Sequence, residues 1–158
     1  MIITNPHRTD QLKAQLVALW ELSVKATHDF LTDEQITNLR PFVEEGIGFI
    51  PKLIVHYTGS LPTAFMGIDG DKIEMLFVTP DFFGKGIGKT LVQYGIKSEK
   101  ISYVDVNEQN PGAYHFYKRM GFTVYERSET DDQGNPFPIL RLRLGTNQTN
   151  SSVRADQF

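Results

Sequence analysis

Three glycines at alternate positions, Gly84, Gly86 and Gly88, stand between an apolar run and a helical one. Without a Cβ, backbone N–H groups come close to a ligand that side chains would hold off. The helix behind the loop turns its positive end to the same place. The chemistry this predicts is the binding of phosphate groups. Upstream, Glu74 is a carboxylate inside the apolar run 73–78. Such a group is costly there unless it is paired or wet. A second polar pair, His28-Asp29, sits at a helix end beside Phe30 and Leu31. It reads in two ways, as the lining of a substrate pocket or as a connector whose apolar neighbours anchor to the core.

The elements that position these residues follow from periodicity and punctuation. Residues 1–4 suit a short strand, broken at Asn5-Pro6. Leu12, Leu16, Leu19 and Trp20 share one side of a helix that Thr9 or Asp10 can cap and that runs to about residue 25. Thr32-Asp33-Glu34-Gln35 has a capping-box shape. Its helix is expected to break or kink at Pro41 and to end near Gly46. Residues 49–57, 63–68 and 72–79 read as an antiparallel run of strands. A helix over 88–97 then leads to a strand at 101–106, a crossover that implies a parallel pair. Asn110 and Pro111 open a helix that closes at Gly121. Strands at 122–126 and 139–144 make a last hairpin. Strict alternation along 73–78 puts Glu74, Leu76 and Val78 on one face and Ile73, Met75 and Phe77 on the other.

Bulk properties narrow the function classes. The chain has 158 residues, a net charge of −3 and 40% hydrophobic residues. That fits one globular domain over 1–144 and argues against a nucleic-acid partner held by a broad basic face. Residues 145–158 read as a polar, mobile tail with N-x-[ST] patterns at Asn147 and Asn150. There is no cysteine, which excludes disulfides, thiolate metal sites and a cysteine nucleophile. No apolar run spans a membrane or resembles a signal peptide, so the expected place is the cytoplasm.

Two phosphate-binding patterns compete for the loop. Gly88-Lys89-Thr90 matches the end of a Walker A loop, but that pattern needs glycine at position 83, which is Phe83. Val104-Asp105 is too short a match to supply the second half of such a site. The alternative draws on more of the chain. Val78-Thr79-Pro80 followed by Gly84-Lys85-Gly86-Ile87-Gly88 resembles the pyrophosphate loop of the GNAT superfamily, the Gcn5-related N-acetyltransferases. Phe83 stands where the family usually has Arg or Gln. The later residues Asn110, Ala113, Phe116-Tyr117 and Gly121-Phe122 match that family's following motif in order and spacing.

The resemblance implies a GNAT fold, α+β, with a central mixed, mostly antiparallel sheet of six to seven strands flanked by helices and a splayed parallel pair at the cofactor. It implies transfer of acetyl from acetyl-CoA to a primary amine by direct attack in a ternary complex. It gives Tyr117 the roles of general acid and cofactor contact. It gives cofactor contacts to Leu76, Phe77 and Val78 through backbone, to Gly84, Lys85, Gly86, Ile87, Gly88 and Lys89 at the pyrophosphate, and to Asn110. Glu74 then becomes a base acting through water, an anchor for a cationic amine, or a salt-bridged strand residue. His28 is the other candidate base, with Asp29 beside it at the acceptor. Residues 23–31 and 106–110 further resemble small bacterial members described as protein or peptidyl-lysine acetyltransferases. The amine, whether protein lysine or small molecule, stays open, and a homodimer is compatible. An idle acyl-CoA-binding or sensing module is the reading from another class.

Overall fold

The structure is a computed structural model and describes residues 1–145; the tail beyond Gly145, with Asn147 and Asn150, lies outside the described residues. It is a mixed α+β fold, divided into two compact units that meet in sequence at Ile101 and Ser102.

The first unit holds β1 (Ile2–Thr4), α1 (Asp10–Thr27), α2 (Asp33–Phe49), β2 (Lys52–Thr58), β3 (Leu61–Asp69), β4 (Lys72–Val78) and α3 (Ile87–Glu99). Its strands pair antiparallel in chain order. Leu12, Leu16, Leu19, Trp20 and Val24 of α1 pack with Ile36 and Ile47 of α2 over Leu53, Val55 and Phe65. Each such side chain contributes roughly 1.5–3 kcal/mol by leaving water. Phe65 and Met66 are neighbours on β3 and therefore face opposite ways. Phe65 meets the α1–α2 layer, and Met66 reaches α3 at Gly95.

Caps account for the helix starts. Thr9 accepts from the Leu12 amide at 3.1 Å. Thr32 and Gln35 form the reciprocal capping box, at 3.1 and 2.8 Å. The end of α2 differs from expectation. The helix runs through Pro41 and past Gly46 to Phe49. Pro41 removes an N–H that would bond the Thr37 carbonyl, but both residues lie on the exposed side, where water can take that carbonyl. The stop comes from Pro51, which disfavours helical backbone at Ile50, the residue before it. The following strand accordingly begins at Lys52 rather than 49. No basic residue lies in the last turn of α2. Instead Arg8 donates to the carbonyls of Ile47, Gly48 and Ile50.

The second unit holds β5 (Tyr103–Asn107), α4 (Pro111–Arg119), β6 (Phe122–Ser128) and β7 (Ile139–Leu144). Strand β7 pairs antiparallel with both β5 and β6. Val104, Val106, Phe122 and Leu142 are buried. The other face carries charge, with Arg141 bonding Asp105 at 2.6 Å. Arg127, cross-strand from Leu140, clasps both oxygens of Glu108 at 2.8 Å.

Candidate active site

The glycine loop is built as a helix start without a side-chain cap. Pro80–Phe82 makes a single 3-10 turn after β4, and Phe83 returns to extended backbone. Gly84 and Gly86 then take φ of +76° and +80°. At both, an added Cβ would meet nothing within 4 Å, so the need for glycine lies in the backbone conformation. Gly86 is the N-cap of α3 and offers no side chain to its first turn. Helix geometry leaves the amides of Ile87, Gly88 and Lys89 with no acceptor four residues back. Among the described residues, the three other α-helices have side-chain caps at Thr9, Thr32 and Asn110. This one presents amides and the positive end of its dipole, with Lys85 and Lys89 exposed beside them. The arrangement suits an anion.

Strand β4 corrects the alternation read from sequence. Its register runs Val78 to Ala64, Phe77 to Phe65, Leu76 to Met66 and Met75 to Gly67, then steps so that Ile73 pairs with Ile68. Glu74 is the extra residue of a β-bulge. Cross-strand partners share a face, so Ile73 lies with Leu76 and Val78, not with Met75 and Phe77. The two latter pack on the α1–α2 core. The bulge also removes the alternation argument for the side on which Glu74 points. The Glu74 carboxylate is exposed, with the Lys72 ammonium 3.8 Å away. It is wet rather than buried, so strand burial imposes no penalty on it.

In the second unit, Asn110 Oδ1 accepts from the Ala113 amide at 3.2 Å and starts the helix that carries Tyr117. Tyr117 is only 5% exposed. Its ring stands edge-on to Phe116 at 5.0 Å and to Phe122 at 5.6 Å. Burial pushes the phenol well above its ordinary pKa, because the phenolate would lose its hydration. Among the described residues the hydroxyl has no hydrogen-bond partner. It is a neutral donor at neutral pH.

At the end of α1, the Thr27 hydroxyl donates to the Ser23 carbonyl at 2.8 Å and lies 2.7 Å from His28 Nδ1. A hydroxyl has one proton, so Nδ1 donates to Thr27 and the lone pair sits on Nε2. Desolvation lowers the His28 pKa, with Asp29 opposing. A neutral imidazole with its acceptor nitrogen set by a neighbour is competent as a base. Asp29 is exposed next to it. Thr27 and Lys72 were not singled out from sequence. Their signal was adjacency alone, one residue from His28 and two from Glu74.

The predicted residues thus fall in four places. Leu76, Phe77 and Val78, all half-buried, end the strand that feeds the loop 84–89. His28 and Asp29 end α1, Glu74 sits in the bulge, and Asn110 and Tyr117 belong to α4.

Comparison with known proteins gives these places a family. A profile described as "Acetyltransferase (GNAT) domain" matches residues 43–124. The peptidyl-lysine N-acetyltransferase YjaB of Salmonella typhimurium is 41% identical over 128 residues, 81% of this chain and 88% of that one. YjaB of Escherichia coli is 38% identical over 142 residues, 90% and 97% of the two chains. The solution structure of its apo form superposes with a TM-score of 0.79 over the same shares. In fold alone, the chain is also like the PaiA N-acetyltransferase of Thermoplasma acidophilum, solved with coenzyme A, at 19% identity, a TM-score of 0.63 and 89% and 98% coverage. With the profile covering half of the chain and relatives near 40% identity spanning most of it, this protein belongs to the GNAT acetyltransferases, and acetyl-CoA is its co-substrate.

Proposed function

We propose that the chain acetylates the ε-amine of lysine side chains in peptides or proteins, in the cytoplasm. The observation that carries the acceptor is the likeness, across nearly the whole chain, to enzymes named peptidyl-lysine N-acetyltransferases. In this reading the amides at 86–89 hold the pyrophosphate of acetyl-CoA, with Gly84 and Lys85 shaping and charging the loop. The backbone of Leu76, Phe77 and Val78 takes the pantetheine arm and the acetyl carbonyl, and Asn110 contacts the cofactor besides capping α4.

The chemistry follows from the groups at hand. A lysine amine has a pKa near 10.4 and arrives as an ammonium. His28 Nε2, or Glu74 through a water, takes one proton, and Asp29 and Glu74 favour the cation on approach. The free amine attacks the thioester carbonyl carbon. The carbon–sulfur bond breaks, and the departing sulfur takes the proton of the Tyr117 hydroxyl. The burial that keeps this phenol neutral also raises the basicity of a thiolate released beside it, so the transfer does not run against a fixed gap. The nitrogen, now bonded to the acetyl carbon, sheds its second proton to solvent to leave the neutral amide, and solvent returns a proton to the phenolate.

Tyr117→Phe tests the assignment. The variant is expected to bind acetyl-CoA as the parent does while turnover with a lysine peptide falls by about 10²-fold or more, the range for a general acid. Turnover equal to the parent across pH would remove Tyr117 as the donor. A parent enzyme that releases CoA only with small amines, never with peptides, would overturn the acceptor.

A further inference from the structure

Ser23, Thr27 and His28 make a short chain of hydrogen bonds at the end of α1. Thr27 is the last residue of the helix, and its hydroxyl donates one turn back, to the Ser23 carbonyl, at 2.8 Å. That bond selects one χ1 for a β-branched side chain and so fixes where Oγ1 stands. His28 Nδ1 lies 2.7 Å from that oxygen. The backbone of His28 is tied on both sides. Its amide donates to the Val24 carbonyl at 2.7 Å, and its carbonyl accepts from the Leu31 amide at 3.0 Å. The Phe30 ring stands 5.2 Å from the imidazole, tilted at 51°. Among the described residues, Nε2 has no hydrogen-bond partner. One ring nitrogen is held, and the other is left for a ligand.

The single proton of the hydroxyl goes to Ser23, so Oγ1 can only accept from the ring. Nδ1 then keeps its hydrogen in the neutral imidazole and in the imidazolium alike. A proton taken at Nε2 leaves the chain Nδ1–H···Oγ1–H···O=C intact and strengthens its first bond, because a charged donor bonds more strongly. Desolvation lowers the pKa of the ring, and Asp29, the charged group that acts on it among the described residues, opposes this. The carbonyl end of α1 also favours the cation. As an acceptor of a lysine proton, an imidazole stands nearer to the amine than a carboxylate does, by about two pKa units.

We propose that Thr27 is a positioning residue for the proton transfer: it holds the His28 imidazole with Nδ1 protonated and Nε2 open, and through it His28, not Glu74, takes the acceptor's proton. The inference rests on the lysine reading above and names which of its two candidate bases works and what sets that base. The proton leaves the ammonium nitrogen, whose bonding pair stays behind as the attacking lone pair. Nε2 gains the proton, and the imidazolium later gives it to solvent.

The test compares the parent with Thr27→Val, Thr27→Ser, His28→Gln and the double variant Thr27→Val/His28→Gln. At about pH 8, where the ring is neutral, nitrogen NMR of the parent should show a protonated Nδ1 and an unprotonated Nε2. A hydrogen on Nε2 would overturn the inference. With a lysine peptide, Thr27→Val should lower kcat about tenfold, a part of the roughly 10²- to 10⁴-fold that a positioned base supplies, and leave KM at the parental value. The fall in kcat at acid pH should also move to lower pH, because the imidazolium has lost the acceptor of its Nδ1–H. A merely structural defect would scale the profile without moving it. Thr27→Ser should restore both kcat and the profile. Once His28→Gln is in place, Thr27→Val should cost nothing further. Parental kcat and profile in Thr27→Val, or full additivity in the double variant, overturns the positioning role while leaving the lysine reading standing. A parent that releases CoA with small amines only overturns that reading, and the nitrogen spectrum still decides the tautomer.

Discussion

Replacing Gly86 by alanine separates the backbone role of the loop from its ligand role. Gly86 has φ +80° and ψ 8°. A Cβ there touches nothing within 4 Å, so the substitution brings no collision. What remains is the left-handed conformation, which costs an L-residue about 1–2 kcal/mol. For a domain of this size 1 kcal/mol moves the melting temperature by about 2–4 °C. The unliganded variant should therefore melt about 2–8 °C below the parent. The ligand supplies the second reading. At a hundredfold excess over Kd, acetyl-CoA stabilises the parent by about 2.7 kcal/mol. If the turn relaxes and the amides at 86–89 swing off the pyrophosphate, a tenfold weaker complex gains only about 1.4 kcal/mol at the same concentration. Scanning calorimetry with and without acetyl-CoA reads both numbers. An unchanged ligand increment in a variant that has lost stability would refute the loop as the phosphate site. An unchanged unliganded melting temperature would refute the left-handed turn.

Two further substitutions probe the packing beneath the site. Burial raises the folded-state pKa of Tyr117 above its unfolded value of about 10, so its contribution is complete below that pH and is lost as pH rises towards the folded value. Denaturant titrations should show the parent losing more stability than Tyr117→Phe between about pH 8 and pH 10.5; parallel losses would mean the phenol is not desolvated. At Gly95 an added Cβ would run into Ile101 Cδ1 and sit 3.0 Å from Met66 Cε. Gly95→Ala should cost about 1–3 kcal/mol in chemical denaturation, and Ile101→Val in the same chain should recover most of it by removing that methyl.

What was legible in the sequence was what is encoded within a few residues. Thr9, the Thr32–Gln35 box and Asn110 cap their helices as read, because a cap needs only a side chain and an amide up to three residues away. The glycines at 84 and 86 were legible as a loop between strand and helix, and both take positive φ there. The misreadings came from rules applied without their context. Of the break or kink expected at Pro41 the break does not occur, because on an exposed face the missing N–H leaves only a carbonyl that water can satisfy. The true stop, Pro51, acts one residue back, on Ile50. The face assignment of Ile73 failed because period-two alternation assumes an unbroken ladder. The step at Gly67–Ile68 is fixed by pairing with another strand, which no local pattern in 73–78 announces. The tautomer of His28 was likewise out of reach, since it depends on where the Thr27 hydroxyl proton goes.

The bulge at Glu74 also decides which position of β4 can change without disturbing the fold. Ile73 is pinned opposite Ile68 and Met75 opposite Gly67, each anchored to a different layer of the fold. The residue between them is exempt from both constraints. A substitution at 74 alters charge and reach at the surface without repacking either layer, so the fold leaves this position freer to vary than its neighbours Ile73 and Met75.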